Sequence, residues 1–585
     1  MTLTTRRFSL LGLAAALCAA LSLPLNAQTD RPSQPEPAGI RSEKKLAHAT
    51  RYMVAAAHPL AVDAGLRMLD AGGSAVDAMI AVQLVLNLVE PQASGLGGGA
   101  FLLHFDAKAR AVRAYDGRET APAAATPELF MRDGKPMNFR EAVTGGRSVG
   151  APGVARLLET AHRKHGRLPW ADLFKPAIEL AENGFPMPDR VHALLLRDRA
   201  IAGEAAARSY FLQADGTPKT AGTLLRNPEF ARTLRTIAGG GADAFYQGDI
   251  ARAIVAAVRG HAANPGLLSE ADLAAYQVRE VDALCGPYRA YRICGMPPSS
   301  SGGIAVLQIL GLLSPQKLSA VQPGSTQAVH LLAEAGRLAY ADRNRWVADD
   351  RFVDVPVRGL IDPAYLAARA RLIRTDRSMG TAEAGRPSGA AVVYADDPVE
   401  EVAGTSQVAI VDGDGNAVSL TTTIENFFGS RIMVGGFLLN NQLTDFNFNP
   451  VESGQPVANA VAPGKRPRSS MAPTLVFRDN GDLHLVLGSP GGSRIINYVA
   501  KTLIAALDWN LDIQSAIALP NTGSRNGPTE IERGTEAEAL AAPLRGMGHI
   551  VEVADMTSGL HGIMRDGKGW QGGADPRREG IAKGR

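Results

Sequence analysis

Apolar and polar positions between residues 405 and 423 fall into the pattern of a short hairpin. From Thr405 the chain runs in extended fashion through Val408, Ile410 and Val411, turns over Asp412-Gly413-Asp414-Gly415-Asn416, and returns through Ala417-Val418-Ser419-Leu420 to Thr421-Thr422-Thr423. A hairpin symmetric about Asp414 places Thr405 opposite Thr423. Elsewhere the spacing is helical. His58 to Leu88 predicts two helices split at Ala71-Gly72-Gly73-Ser74, with Ser74 capping the second. Residues 152 to 280 predict mostly amphipathic helix, including Gly153 to Lys164 and Trp170 to Asn183; further helices are expected at Thr326 to Asp342 and Tyr498 to Trp509. From Gln407 to Val486 extended segments and Gly/Asn turns dominate. Helix, strand and helix on this scale imply an α+β fold with sheets between helical layers.

Two stretches interrupt the periodicity. Pro91 to Phe101 carries a glycine run ahead of an apolar strand, which fits either a phosphate cradle or close backbone packing; it lacks the Lys-Ser/Thr of a P-loop and the spacing of a dinucleotide fingerprint. Residues 376 to 404, with Ser378, Gly380, Gly385, Pro387, Ser388 and Gly389, predict a mobile segment just before Thr405. A self-cleaving precursor needs slack there, and a plain interdomain linker has the same composition.

With 585 residues the chain can bury a large core, and Lys+Arg of 61 against Asp+Glu of 58 leaves a net charge of only +3. No basic run marks a nucleic-acid binder, so a small-molecule substrate is expected. Residues 1–27 carry Arg6-Arg7, an apolar stretch and Ala27, the pattern of a secretory signal peptide, with an uncleaved anchor as the alternative. A polar, Pro-rich leader follows over 28–43. Localisation is then periplasmic or secreted. Beyond Cys18 only Cys285 and Cys294 remain, flanking a second hairpin turn; an oxidising compartment permits a disulfide, and two unrelated small core residues are the alternative. No cofactor is implied, and the 11 His form no metal-binding motif.

A threonine hydroxyl is a weak nucleophile until a base removes its proton, and the α-amine of Thr405 could serve once the bond before it is cut. Gly404 suits that scheme by permitting a strained backbone ahead of the nucleophile. An ordinary Thr/Ser-rich hairpin is the alternative on these residues alone. The ordered series PQASGLGGGAF (Pro91 to Phe101), YDGRETAP (Tyr115 to Pro122), MPPSSSGG (Met296 to Gly303), Gly404-Thr405-Ser406, LLNNQLTDF (Leu438 to Phe446), KRPRSSMAP (Lys465 to Pro473), GSPGGSRI (Gly488 to Ile495) and GADPR (Gly573 to Arg577) closely resembles the γ-glutamyltranspeptidase family from about residue 48 onward.

The resemblance implies a four-layer αββα sandwich of the N-terminal-nucleophile hydrolase type. It also implies a precursor cut between Gly404 and Thr405 into a large subunit (28–404) and a small catalytic subunit (405–585) that stay paired. Thr405 would attack the γ-carbonyl of glutathione or a related γ-glutamyl amide, with water, amino acids or peptides as acceptors. Thr423 would orient it, and the N–H groups of Gly491 and Gly492 would form the oxyanion hole. Arg118, assisted by Ser469 and Ser470, would clamp the donor carboxylate, while Gln442 and Asp445 would take its ammonium. Glu425, also expected to bind substrate, stands where relatives often have Asn, two residues after the second threonine; its extra negative charge would strengthen ammonium binding or signal a different acyl group. The stretch from Phe446 to Ala458, which resembles the lid over the pocket, is short and holds Phe448 but no Tyr, putting water exclusion in question. The alternatives are a related cephalosporin (glutaryl) acylase and an inactive binding protein.

Overall fold

The computed structural model describes residues 41–402 and 404–585; the expected signal peptide, Cys18 and most of the expected leader lie outside the described residues. Two seven-stranded sheets carry the fold. The first takes its strands in the order Ile581–Gly584, Met53–Ala56, Thr405–Val411, Ala417–Thr423, Gly99–Asp106, Ala111–Gly117 and Arg279–Asp282, all antiparallel. The second runs Ala47–Ala49, Gly569–Ala574, His561–Asp566, Leu483–Gly488, Thr474–Arg478, Tyr291–Gly295 and Leu284–Tyr288.

Alternation along the central hairpin sends its side chains to two faces. Val408, Ile410, Val418 and Leu420 pack with helices Pro59–Asp70 and Ala75–Val89. Ala409, Val411 and Ala417 share a second core with Leu475, Val486 and Leu487 of the other sheet and with helices Gly302–Leu313, Thr326–Trp346 and Ile495–Leu507. The layers are therefore helix, sheet, sheet, helix. Ala75–Val89 is buried on every side and is apolar apart from Asp77, Gln83 and Asn87. Ser74 caps it through a reciprocal pair with Asp77, accepting the Asp77 N–H at 3.2 Å while its own N–H donates to the Asp77 carboxylate at 2.8 Å.

Helix Thr326–Trp346 runs one turn past the expected end at Asp342 and so carries Arg343 inward. Close packing accounts for the glycine run: a Cβ on Gly98 would overlap the Thr423 carbonyl oxygen. Cys285 and Cys294 are paired across the second hairpin and joined, with S–S 2.02 Å. Among the described residues no helix is long and apolar enough to cross a membrane.

The described residues of 376–404 form no helix or strand, and several of them are held by hydrogen bonds to distant elements. Met379 N–H donates to Glu334 at 2.7 Å, Ala382 N–H to Asn526 at 2.7 Å and Gly385 N–H to Asp342 at 2.7 Å. Asp397 accepts from Asn447 at 3.1 Å and from Asn459 at 3.2 Å. Buried carboxylates and amides on distant elements supply partners that a Gly/Pro/Ser-rich composition does not reveal.

Candidate active site

Thr405 opens its strand and faces Thr423 across the hairpin, in the register that symmetry about Asp414 predicts. Both are buried in this uncleaved chain, 3% and 2% exposed. The Thr405 hydroxyl donates to Thr423 Oγ1 at 3.4 Å, and the Thr423 hydroxyl donates to the Gly404 carbonyl oxygen at 2.6 Å. Thr423 Oγ1 in turn accepts the Glu425 N–H at 2.8 Å. Thr423 thus touches both the hydroxyl that would attack and the carbonyl that would be attacked, and a donor on that oxygen makes its carbon more electrophilic. Glu425 holds φ at +77°, an uncommon conformation for a residue with a Cβ. This turn aims its N–H at Thr423 and sets its carbonyl against Gly404. A Cβ on Gly404 would overlap that carbonyl oxygen and lie 2.7 Å from the Asn426 carbonyl carbon, so the requirement for glycine here is space.

Arg578, just beyond the GADPR motif, donates to the Thr405 carbonyl oxygen at 3.1 Å and to Ser558 O at 3.2 Å. Glu90 accepts from the Ser406 hydroxyl, which also receives Ser94 Oγ at 3.3 Å. These side chains fix the backbone at the start of the strand. Sequence reasoning missed Arg578 and Glu90 because neither lies near Thr405 in the chain.

The structure brings Arg118, Gln442 and Asp445 together. Arg118 Nη2 donates to Asp445 Oδ2 at 2.6 Å, and the Gln442 amide donates to the same oxygen at 2.6 Å; the Arg118 and Asp445 side chains are 1% and 2% exposed. Burial works against the Arg118 charge, and Asp445, Glu119 and Glu401 more than offset it, so its pKa stays above the ordinary value. Asp445 Oδ1 and Gln442 Oε1 are buried acceptors without a hydrogen-bond partner. A group bearing both a carboxylate and an ammonium on one carbon could meet Arg118 with one and these acceptors with the other.

The LLNNQLTDF stretch divides its labour. Asn440 bridges Gly97 O at 2.7 Å and Gly150 O at 3.0 Å, and Asn441 Oδ1 accepts the Asn426 N–H at 3.0 Å, so these two hold backbone. Only Gln442 and Asp445 face Arg118. The Glu425 carboxylate accepts from Asn441 Nδ2 and from the Val402 N–H at 3.4 Å.

Ser469 and Ser470 do not touch Arg118 through their hydroxyls. Arg118 instead donates to the Pro467 and Arg468 carbonyl oxygens at 3.2 and 2.9 Å, while Ser469 Oγ accepts the Met471 N–H at 3.1 Å. Ser470 Oγ accepts from Arg343 at 2.8 Å and donates to Glu401 at 3.1 Å. Gly491 and Gly492 have φ of +141° and +56°, which side-chain-bearing residues rarely adopt. Gly492 packs against Glu401 and Val402, where a Cβ would lie 2.9 Å from the Val402 carbonyl carbon. Phe448 stacks on Phe130 with ring centroids 4.4 Å apart, in a small core that includes Phe139, Leu443 and Val402. It anchors the stretch that resembles a lid.

Glu119, next to Arg118 in the DGRE stretch, is buried with neither carboxylate oxygen hydrogen-bonded, and burial pushes its pKa up to about 8. Among the described residues, His330, Glu334 and His549 cluster closely enough to suit a metal ion. Hydrogen bonds already engage them: His330 Nδ1 meets His549 Nε2 at 2.7 Å, and Glu334 takes Arg337 at 3.0 Å and Ser378 at 2.8 Å.

A family model described as gamma-glutamyltranspeptidase matches residues 61–585. The chain is 37% identical over 589 residues to the glutathione hydrolase proenzyme of Bacillus subtilis (strain 168), covering 98% of this chain and 98% of that one. To the acylase ACY 1 proenzyme of Pseudomonas sp. (strain SE83) it is 35% identical over 545 residues, covering 90% and 92%. The crystal structure of cephalosporin acylase from Bacillus halodurans aligns with a TM-score of 0.81 at 26% identity, covering 95% of this chain and 99% of that one. A threonine poised at the head of a central strand, the four-layer sandwich and these matches together place the chain in the γ-glutamyltranspeptidase family of N-terminal-nucleophile hydrolases.

Proposed function

We propose that this chain is a precursor that cuts itself between Gly404 and Thr405 and then hydrolyses or transfers the γ-glutamyl group of glutathione or related amides. The carrying observation is the contact of Thr423 with both the Thr405 hydroxyl and the Gly404 carbonyl oxygen. Attack by Thr405 Oγ1 on that carbonyl carbon breaks the peptide C–N bond and leaves an ester. The hydroxyl proton passes to the departing Thr405 nitrogen, which becomes the free amine, and water then cleaves the ester to give a Gly404 carboxylate and restore the Thr405 hydroxyl. That amine serves as base when the hydroxyl attacks a γ-glutamyl carbonyl. The donor's amine departs with the proton, and water or an amino-acid or peptide amine takes the acyl group from Thr405. Gly491 and Gly492 supply N–H groups to the oxyanion; Arg118 takes the donor carboxylate, with the Ser469-Ser470 stretch beside it; Gln442, Asp445 and Glu425 form the acceptor side.

Subunits 28–404 and 405–585 would stay paired because their strands interleave: Met53–Ala56 lies between Ile581–Gly584 and Thr405–Val411 in one sheet. The Cys285–Cys294 disulfide suits an exported protein, periplasmic or secreted. Intact-mass measurement and N-terminal sequencing of the purified protein should find a second chain starting at Thr405, and Thr405→Ala should remain a single inactive chain. Any other start sinks the mechanism. The acidic side of the pocket favours γ-glutamyl over glutaryl donors, since a glutaryl group brings no ammonium to Asp445 Oδ1 and Gln442 Oε1, the buried acceptors that the Arg118–Asp445 pair leaves unbonded. Comparable kcat/KM for γ-glutamyl and glutaryl anilides would instead select the acylase reading.

A further inference from the structure

The pocket beside Arg118 already contains a carboxylate, and it belongs to the chain itself. Glu401, in the segment that leads to the cleavage bond, accepts at Oε1 from Arg343 Nη2 and from the Ser470 hydroxyl at 3.1 Å, and at Oε2 from the Ser470 N–H at 2.6 Å. Its side chain is 7% exposed and that of Arg343 is 2% exposed. Arg343 does not depend on Glu401 for its position: it also donates to Ser301 Oγ at 3.0 Å and to Asn344 Oδ1 at 3.0 Å. Arg118 and Arg468 act on the same carboxylate through space. The backbone of Glu401 is clipped to the loop after the two glycines, its N–H donating to Ser493 Oγ at 2.7 Å and its carbonyl accepting the Ser493 N–H at 3.2 Å.

We infer that Arg343 belongs to the donor's carboxylate-binding subsite, beside the Ser470 that the family resemblance already places there, and that the precursor fills this subsite with the side chain of its own Glu401. The inference rests on the proposed γ-glutamyl reading and adds a second guanidinium to it. A buried guanidinium without an anion is costly, so a segment that leaves after cleavage must hand Arg343 another negative group. A donor carboxylate is that group. Until Glu401 withdraws, the Ser470 N–H and the Arg343 guanidinium are occupied, and a tethered carboxylate competes at the millimolar effective concentration typical of short linkers. Cleavage alone therefore does not open the pocket; displacement of Glu401 does.

A purely structural ion pair would pin the segment without affecting donor binding, and the two cases separate experimentally. A synthetic peptide of residues 397–404, added to the matured protein, should inhibit γ-glutamyl anilide hydrolysis competitively, and its Glu401→Gln counterpart should bind about tenfold or more weakly, as expected on losing hydrogen bonds to a charged group. Titration calorimetry of both peptides reads the same difference without turnover. Equal binding of the two peptides, or binding by neither, overturns the inference. In the enzyme, Arg343→Gln should raise KM for the γ-glutamyl anilide about tenfold or more with kcat little changed, and Arg343→Lys should recover part of the loss; an unchanged KM in Arg343→Gln also overturns it. Should Arg343→Gln fail to fold, the peptide pair on the unmodified protein decides. Glutamate-dependent peptide binding in a protein that turns over no γ-glutamyl donor would uphold the subsite and discard only the substrate assignment.

Discussion

The chain is held in two different ways on the two sides of the Gly404–Thr405 bond. Downstream, Thr405–Val411 is an inner strand, hydrogen-bonded to neighbours on both edges and buried at every residue. Upstream, residues 397–402 have no ladder; Val402 packs in the small core with Phe448, and the rest is held by polar contacts made by Asp397, Glu401 and the Val402 N–H. Ladder bonds and apolar burial do not depend on whether the peptide bond is intact. Charge-assisted contacts can be exchanged for those of a ligand carrying the same charges. Thr405, the proposed nucleophile, is thereby held whether or not the bond before it is cut, while the polar contacts of the arm before it are of a kind that a charged ligand can replace.

The largest expected effect lies on the downstream side. Leu420→Ala removes a side chain from the core between the hairpin and its helices, and should cost about 2–5 kcal/mol of stability in denaturant unfolding. Gly404→Ala should lower stability by about 1–3 kcal/mol, because its Cβ would meet only backbone atoms, and should slow precursor cleavage by about 100-fold, because the overlap with Glu425 displaces the scissile carbonyl from Thr423. Cleavage at the normal rate, followed on denaturing gels, would mean that the turn at Glu425 yields. Arg118→Lys keeps the charge facing Asp445 and loses the planar fork, so KM for a γ-glutamyl donor should rise by roughly 1.5–3 kcal/mol in free-energy terms. Its cleavage rate should not change, since no donor takes part.

The last effect is one of pH. Glu119 has an ordinary pKa of 4.5 and is raised to about 8 by burial. Between these values the folded protein keeps a proton that the unfolded chain releases, so stability falls as pH rises through the window. Glu119→Gln has no such proton, and its melting temperature should gain on that of the unmodified protein from about pH 4.5 to about 8 and level off above. A constant difference across the window would show that Glu119 is ionised in the fold.

The hairpin register was legible because strand side chains repeat every second residue and the Asp412–Asn416 turn fixes the crossing point. The paired helices after His58 and the cap at Ser74 were legible for the same local reason. The grouping of Arg118 with Gln442 and Asp445 was reached only through resemblance to a family, and even that did not foretell a direct Arg118–Asp445 contact. For the segment before Thr405, Gly, Pro and Ser reported the lack of regular structure and could not report its hydrogen-bond partners. Arg343 escaped notice because the helix was expected to stop at Asp342, one residue short of it.

By itself, then, the sequence determined which stretches become strand and helix, where they turn, and that a threonine would head a central strand. Those outcomes follow from side-chain period, capping and turn chemistry, all of which act over a few residues. Only the tertiary structure decided which buried charges meet: Glu401 with Arg343 and Ser470, Arg118 with Asp445, Arg578 with the Thr405 backbone. These partners are far apart in the chain. A buried charge is tolerable only beside its counterpart, so the pairings are settled when the sheets and helical layers close on one another.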